Sequence, residues 1–437
     1  MDFIEEINKR VLVYDGSKGY LLQKMGLKGG ECPELWNVDR KDEVKKIYTS
    51  YRDAGADVIQ TNTFQGNRYQ LDKYGLGNRT YELNYEGTKL AKEVMGTRGF
   101  VAASIGPVGR LFEPSGDLTF NEAYSIYKEQ VMAVADGGAD IINFETFTDL
   151  ADMRVALIAA KETCDLPVIC SMAYEENGRT MMGSDPYLVT EVLKSLGADM
   201  VGVNCSFGPE HMIGIVTEMS RAGGIFFSVK PNAGLPEIVN GEVTYRANPD
   251  NFANLSQKFI TFGARLIGGC CGTTPEFIKA IKEKIGDTEV YKAVSQDRII
   301  ITSLTKVIEV EKTENLRIGH LNVNKDAELL YALKKGSMDE IIDAVMDLIG
   351  SDYDAVYLNV DSAGGGKDLL GRVLDIAQGY VKDPFILETT SPEALEYALR
   401  LYRGKAGVVI NDSNKNYQEE LMEVAGLYGS TILNITV

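Results

Sequence analysis

The strongest constraint on this chain is a joint that recurs four times in its first 270 residues: AGADVIQTN ending at Asn62, GGADIINFE ending at Glu145, LGADMVGVN ending at Asn204 and FGARLIGGC ending at Cys270. Each reads as the end of a helix, a glycine stop and a strand. Gly55, Gly138, Gly197 and Gly263 supply the left-handed residue that closes the helix, and the apolar run behind each has the continuous hydrophobicity of a strand buried on both faces. The joints lie roughly 60 to 80 residues apart, and a strand–helix unit takes about 30, so each interval holds two units.

The missing units fill the gaps. Strands are predicted at 11–16, 57–64, 100–107, 140–147, 167–174, 200–206, 225–232 and 265–272, with helical patterns such as NEAYSIYKEQVMAVADGG and YLVTEVLKSLG between them. Eight parallel strands alternating with helices point to an α/β fold of the (β/α)8 TIM-barrel type, although periodicity alone also allows an open doubly wound sheet.

A chain of 437 residues exceeds what one core fills. The pattern breaks at YKAVSQDRIIITSLTKVIEVEKTEN, which has no glycine stop and no helical period, and then resumes with RIGHLNVN, YDAVYLNV, PFILETT, AGVVIND and STILNITV. The expected organisation is a barrel over 1–290, a linker over 291–313, and a smaller, partial β/α domain of about five strands over 314–437. Five units cannot close an eight-stranded barrel. The second sheet is expected to stay open, or to be completed by a missing segment or another chain.

Charge narrows the function classes. A net charge of −18 repels a phosphate backbone, and no basic run interleaved with aromatics offsets it, so nucleic acid is excluded as a partner. No apolar run is long enough to span a membrane, and MDFIEEINKR lacks the basic head and apolar middle of a secretory signal, so a cytoplasmic location is expected. His211 and His320 are the only histidines and lie far apart, which removes any multi-histidine metal cage.

Reactive groups of such barrels sit at the C-terminal ends of the strands. Here those ends present Asp15–Gly16, Thr61–Asn62–Thr63, Ser104, Glu145–Thr146, Tyr174, Asn204–Cys205, Lys230–Pro231–Asn232 and Cys270–Cys271. Cys205, Cys270 and Cys271 therefore converge on one face, whereas Cys32, Cys164 and Cys170 do not. Three thiolates with a vacant fourth position make a catalytic zinc site, where a substrate thiol can lose its proton and attack an alkyl group. Adjacent cysteines in a strand are also often small apolar core residues, and a vicinal disulfide is disfavoured by strain and by a reducing compartment. The glycines of GGCCG remove neighbouring side chains, letting the strand end bend so that both thiols reach one ion.

The spacing of NCSFGP (204–209) to GGCCGT (268–273), with DGSKG (15–19) and TNTF (61–64), resembles the homocysteine S-methyltransferase family, and ECPELWN (31–37), ASIGPVG, FETFTDL, NGRTMMG and PNAGLP extend the likeness over about the first 290 residues. ECPELWN leans toward its cobalamin-dependent methionine synthase branch. The resemblance implies zinc on Cys205, Cys270 and Cys271, with homocysteine as substrate and fourth ligand. It implies that Asp15 and Glu145 take the substrate ammonium, that amides near Gly16 and Ser17 meet its carboxylate, and that Thr146 and Asn204 line and orient the site; no catalytic residue beyond the zinc site is implied. Where the family has DGAMGT this chain has DGSKGY, so Lys18 and Tyr20 alter a loop beside the substrate.

The second segment resembles the first five units of a pterin-binding barrel, in a degenerate form: RIGHLN for GERxN, YLNVD for DVNVG, LETTSP for IDSSxP and IND for INS. Tyr357 and Glu388 replace aspartates, so independent methyltetrahydrofolate binding is not expected, and a docking or assembly role is. His320 is expected at the surface or in a loop, and His211 at the start of a helix. No cobalamin-binding DxHxxG pattern occurs, so methylcobalamin, if it is the donor, arrives on a separate corrinoid protein. The alternatives are direct transfer from a small sulfonium or ammonium donor, and a non-catalytic assembly subunit.

Overall fold

The computed structural model describes residues 2–113, 115–239, 242–285, 288, 298–323, 327–335, 337, 339–348, 352–364 and 366–435. Packing divides the chain into two units, Met1–Met181 with Ala198–Ser295, and Met182–Gly197 with Gln296–Val437. The stretch between the fifth and sixth barrel strands thus contributes Pro186–Ser195, a helix, to the second unit.

The glycine stops act as their position predicts. Gly55, Gly138, Gly197 and Gly263 have φ of +99°, +92°, +89° and +99°, and a strand begins within three residues of each. In the first unit these strands are β1 (Leu12–Val13), β2 (Val58–Gln60), β3 (Phe100–Ile105), β4 (Ile141–Phe147), β5 (Val168–Met172), β6 (Met200–Asn204) and β7 (Phe226–Lys230). An antiparallel hairpin of β8 (Glu237–Val239) and β9 (Glu242–Thr244) precedes β10 (Ala264–Ile267). The order is β1-β10-β7-β6-β5-β4-β3-β2, all parallel, and a bridge between Tyr14 and Val58 joins β1 back to β2. An open doubly wound sheet would leave those two strands at opposite edges; here the sheet curls into a (β/α)8 barrel.

The helices follow from their patterns. Phe120–Asp136 starts where the Thr119 side chain accepts a hydrogen bond of 3.2 Å from the Glu122 amide, and buries Ala123, Ile126, Tyr127, Gln130, Val131 and Val134 at helical spacing. Below the barrel, Phe3 and Ile7 of the N-terminal helix Phe3–Lys9 pack with Leu12, Val58, Phe100, Ile141 and Met200, residues at the N-terminal starts of the strands. With that end sealed by apolar side chains, the polar strand ends collect at the other.

In the second unit, β11 (Ile299–Thr302) and β12 (Val307–Val310) form an antiparallel hairpin, and β13 (Ile318–Asn322), β14 (Ala355–Asn359), β15 (Phe385–Leu387), β16 (Gly407–Val409) and β17 (Thr431–Leu433) form a parallel sheet in chain order. All five expected strands are present. The hairpin lies where the sequence reads as a linker; residues 291–297 of that stretch fall outside the described ones. Its Ile301 is wholly buried with Ala355, Tyr357, Ile386, Val409 and Leu433, and Thr302 exchanges backbone hydrogen bonds of 2.8 and 3.1 Å with Lys405. An antiparallel hairpin needs neither a glycine helix stop nor a helix, so the search for strand–helix joints passes over it.

Among the described residues no helix is long and apolar enough to cross a membrane. His320 is exposed on β13 rather than in a loop, and His211 is exposed in the first turn of the helix Pro209–Ser220.

Candidate metal centre and thiol pocket

Directly after β6 the backbone turns sharply: Cys205 and Ser206 have φ of +63° and +61°, a conformation that costs a non-glycine residue roughly 1–3 kcal/mol and persists where surroundings impose it. The Cys205 amide donates to the Lys230 carbonyl (3.1 Å), and the Phe207 amide donates to the Cys205 carbonyl (2.7 Å). From β10 the chain passes through Gly268 and Gly269 to Cys270, whose amide donates to the Pro231 carbonyl (2.7 Å), while the Cys271 amide donates to Asn232 Oδ1 (3.0 Å). Gly272, at φ +77°, lies against the Tyr245 ring, where a Cβ would come within 2.2 Å of it. This bend brings consecutive cysteines to one place. The three Sγ atoms lie within 4.8 Å of one another, with Cys205 and Cys271 3.8 Å apart.

The donor set suits a soft, tetrahedral divalent cation. Sulfurs at about 2.3 Å from such an ion stand about 3.8 Å from each other. Hydrogen bonds from Cys270 and Cys271 hold the Cys205 thiol far below the usual range, and donating to it pushes Cys270 and Cys271 up. Asn204 braces the group, with Nδ2 3.7 Å from Cys270 Sγ and 2.7 Å from Thr146 Oγ1, and its Oδ1 accepts the Thr146 amide at 2.8 Å. Thr146 is held at φ +65°.

A cavity of about 270 Å³ opens onto the three cysteines. Gly16, Ser17, Glu145 and Thr146 line it, whereas Asp15 and Asn204 stand behind its wall. Ser17 caps the short helix Lys18–Lys24, and its amide donates to the Thr273 carbonyl (3.0 Å). Asp15 is wholly buried; Oδ2 accepts the Gln60 amide (2.8 Å) and Lys18 Nζ (3.0 Å), and burial raises its carboxyl despite Lys18. Glu145 pairs with Lys230 Nζ and accepts from Ser104 Oγ and from Gln60 Nε2 (2.6 Å). Lys230, only 1% exposed, stands 4.6 Å from the Tyr14 ring centre. Sequence reasoning lists Lys230 and Ser104 as strand-end groups but does not find their meeting with Glu145; the available signal was a lysine ending an apolar strand. Cys32 and Cys170 are buried away from the trio, and Cys164 is half-buried.

Residues 12–285 match the homocysteine S-methyltransferase family. The chain belongs to that family. As a homocysteine S-methyltransferase family member it is 28% identical over 469 aligned positions to a methionine synthase of Mycobacterium tuberculosis, and 28% over 477 to one of Mycobacterium leprae. Each alignment takes in 100% of this chain and 39% of the relative, so the chain spans about two-fifths of the length of the curated relatives it matches. Among solved structures, the metallated form of the homocysteine methyltransferase MmuM from Escherichia coli superposes with a TM-score of 0.54 at 20% identity, over 63% of this chain and 96% of that one. Its oxidized form gives 0.52 at 21% identity over the same shares. At such identities the likeness is one of fold, and it corresponds to the barrel.

Proposed function

We propose that this family member is a zinc-dependent homocysteine S-methyltransferase, forming methionine with a methyl group from methylcobalamin carried on a separate corrinoid protein. The observation that carries the reading is the triangle of Cys205, Cys270 and Cys271 sulfurs, open to a cavity, in a chain of this family. These three would hold zinc, which supplies a position where a thiol gives up its proton near neutral pH.

The chain's own residues prepare that position. Asn204 fixes Cys270 and is itself fixed by Thr146, so the sulfur triangle does not have to reorganise when substrate arrives. Lys230, Gln60 and Ser104 lock Glu145 against the cavity wall, where with Gly16, Ser17 and Thr146 it frames the amino-acid head group. Leu22, Pro33 and Phe64 add apolar surface to the cavity, which sheds water from the thiol chain. The donor assignment is supported by the methionine synthase relatives.

The second unit is assigned to docking. Its strand-end groups satisfy one another: Glu388 accepts from Tyr357 and Ser413 hydroxyls, and Asp361 accepts from Thr389 Oγ1 (2.6 Å) and the Thr390 amide (2.7 Å). A pterin's hydrogen-bonding edge would have to break those bonds. The test is to incubate zinc-loaded protein and homocysteine separately with methylcobalamin, S-methylmethionine, betaine and methyltetrahydrofolate, and to measure methionine. Product from methylcobalamin alone is expected. Product from S-methylmethionine or betaine instead would replace the donor, and turnover with methyltetrahydrofolate alone would overturn the assignment of the second unit.

A further inference from the structure

Homocysteine offers two charged handles besides its thiol, a carboxylate and an ammonium. An ammonium entering the cavity needs a carboxylate whose charge is not already matched. Glu145 is matched by Lys230, and its other oxygen is taken by Gln60 and Ser104. Glu34 is buried; Oε1 accepts the Gln65 amide (2.9 Å), Oε2 accepts the Cys32 thiol (3.4 Å), and burial pushes its carboxyl up toward the neutral form. Asp15 is wholly buried, with Oδ2 taken by Lys18 and the Gln60 amide and Oδ1 left without a hydrogen-bond partner, and Lys18 rather than Asp15 lines the cavity. Glu145 and Asp15 are therefore each already matched by a lysine of the chain, and Glu34, which lines the cavity with no lysine beside it, spends its oxygens on a neutral amide and a neutral thiol.

Lys18 has a proton to spare. Of the three on an ammonium, one is directed to Asp15 Oδ2 at 3.0 Å and a second to Gln60 Oε1 at 3.4 Å, which leaves one for the cavity. We infer that Lys18 selects the head group of the thiol substrate: it holds the cation seat against Asp15 that a substrate ammonium would take, and it offers its remaining proton to the substrate carboxylate. The pocket is then nearly indifferent to an α-amino group. This deepens the homocysteine reading and rests on it, since it presumes a thiol reaching the cysteine trio.

The test is calorimetric titration of the zinc-loaded full chain with homocysteine, with 4-mercaptobutanoate, which keeps the carboxylate and lacks the amine, and with 3-aminopropanethiol, which keeps the amine and lacks the carboxylate. In the wild type, homocysteine and 4-mercaptobutanoate bind within ~3-fold of each other, and 3-aminopropanethiol binds ~10-fold or more weakly. Lys18→Met bares Asp15 and favours homocysteine over 4-mercaptobutanoate by ~10-fold or more, while Lys18→Arg keeps the wild-type order. A wild type that itself prefers homocysteine ~10-fold over the desamino thiol overturns the inference without any variant having to fold. So does a Lys18→Met protein, folded by circular dichroism, with an unchanged ratio. Failure of all three thiols to bind overturns the homocysteine reading as well, whereas binding in the wrong order overturns this inference alone.

Discussion

Burial pushes the Asp152 carboxyl up to about 7, although its Oδ1 accepts a hydrogen bond of 2.7 Å from the Tyr127 hydroxyl. An aspartate in the unfolded chain titrates near pH ~4. Between those values the folded protein keeps a proton that the unfolded chain has lost, so Asp152 makes stability fall as pH rises from about 4 to about 7. Asp152→Asn removes that component: the variant's urea midpoint, followed by the fluorescence of the single tryptophan, Trp36, is expected to depend less steeply on pH than the wild type's between pH 5 and 7. Equal slopes would contradict the placement of Asp152. At this scale the cysteines were legible because their spacing to strand ends carries the chemistry. Lys230 and Glu145 were each legible as strand-end groups, but their ion pair was not: it joins residues 85 positions apart across the barrel interior, and no local pattern encodes that distance.

The elements were read most reliably where backbone chemistry repeats. Each glycine stop announces a helix end and a strand start; four of the eight barrel strands followed from them directly, and the other four from the apolar runs in the intervals between. The hairpins β8–β9 and β11–β12 were missed because they carry neither signal, only short runs of β-branched and charged residues that also suit a connection. The N-terminal helix Phe3–Lys9 was read only for what it lacked as a secretory signal, yet Phe3 meets the Phe100 ring edge-on at 5.5 Å and closes the barrel floor with Ile7. Phe3→Ala is therefore expected to cost about 3–5 kcal/mol of first-unit stability in urea denaturation read by Trp36. A loss below about 1 kcal/mol, typical of a surface substitution, would show that the helix does not hold the floor.

Across the whole molecule, the family match over residues 12–285 takes in the barrel, whose polar groups gather at the end opposite the apolar floor. That segregation follows from the fold: a parallel barrel directs every strand end to one rim, so three cysteines separated by up to 66 positions meet there. Sequence order alone predicted the meeting; the backbone turns at Cys205 and Gly272 that make it possible needed coordinates. The second unit, by contrast, spends its strand-end polar groups on one another, in keeping with its altered motif residues. The central claim is that Cys205, Cys270 and Cys271 together grip one metal ion. Metal analysis of protein purified without chelator tests it most directly: the account predicts about one zinc per chain, bound more tightly as pH rises because each thiol must shed its proton, and its loss in Cys270→Ser. Wild-type protein that neither contains nor takes up zinc, or a folded Cys270→Ser protein that retains a full equivalent, would contradict it.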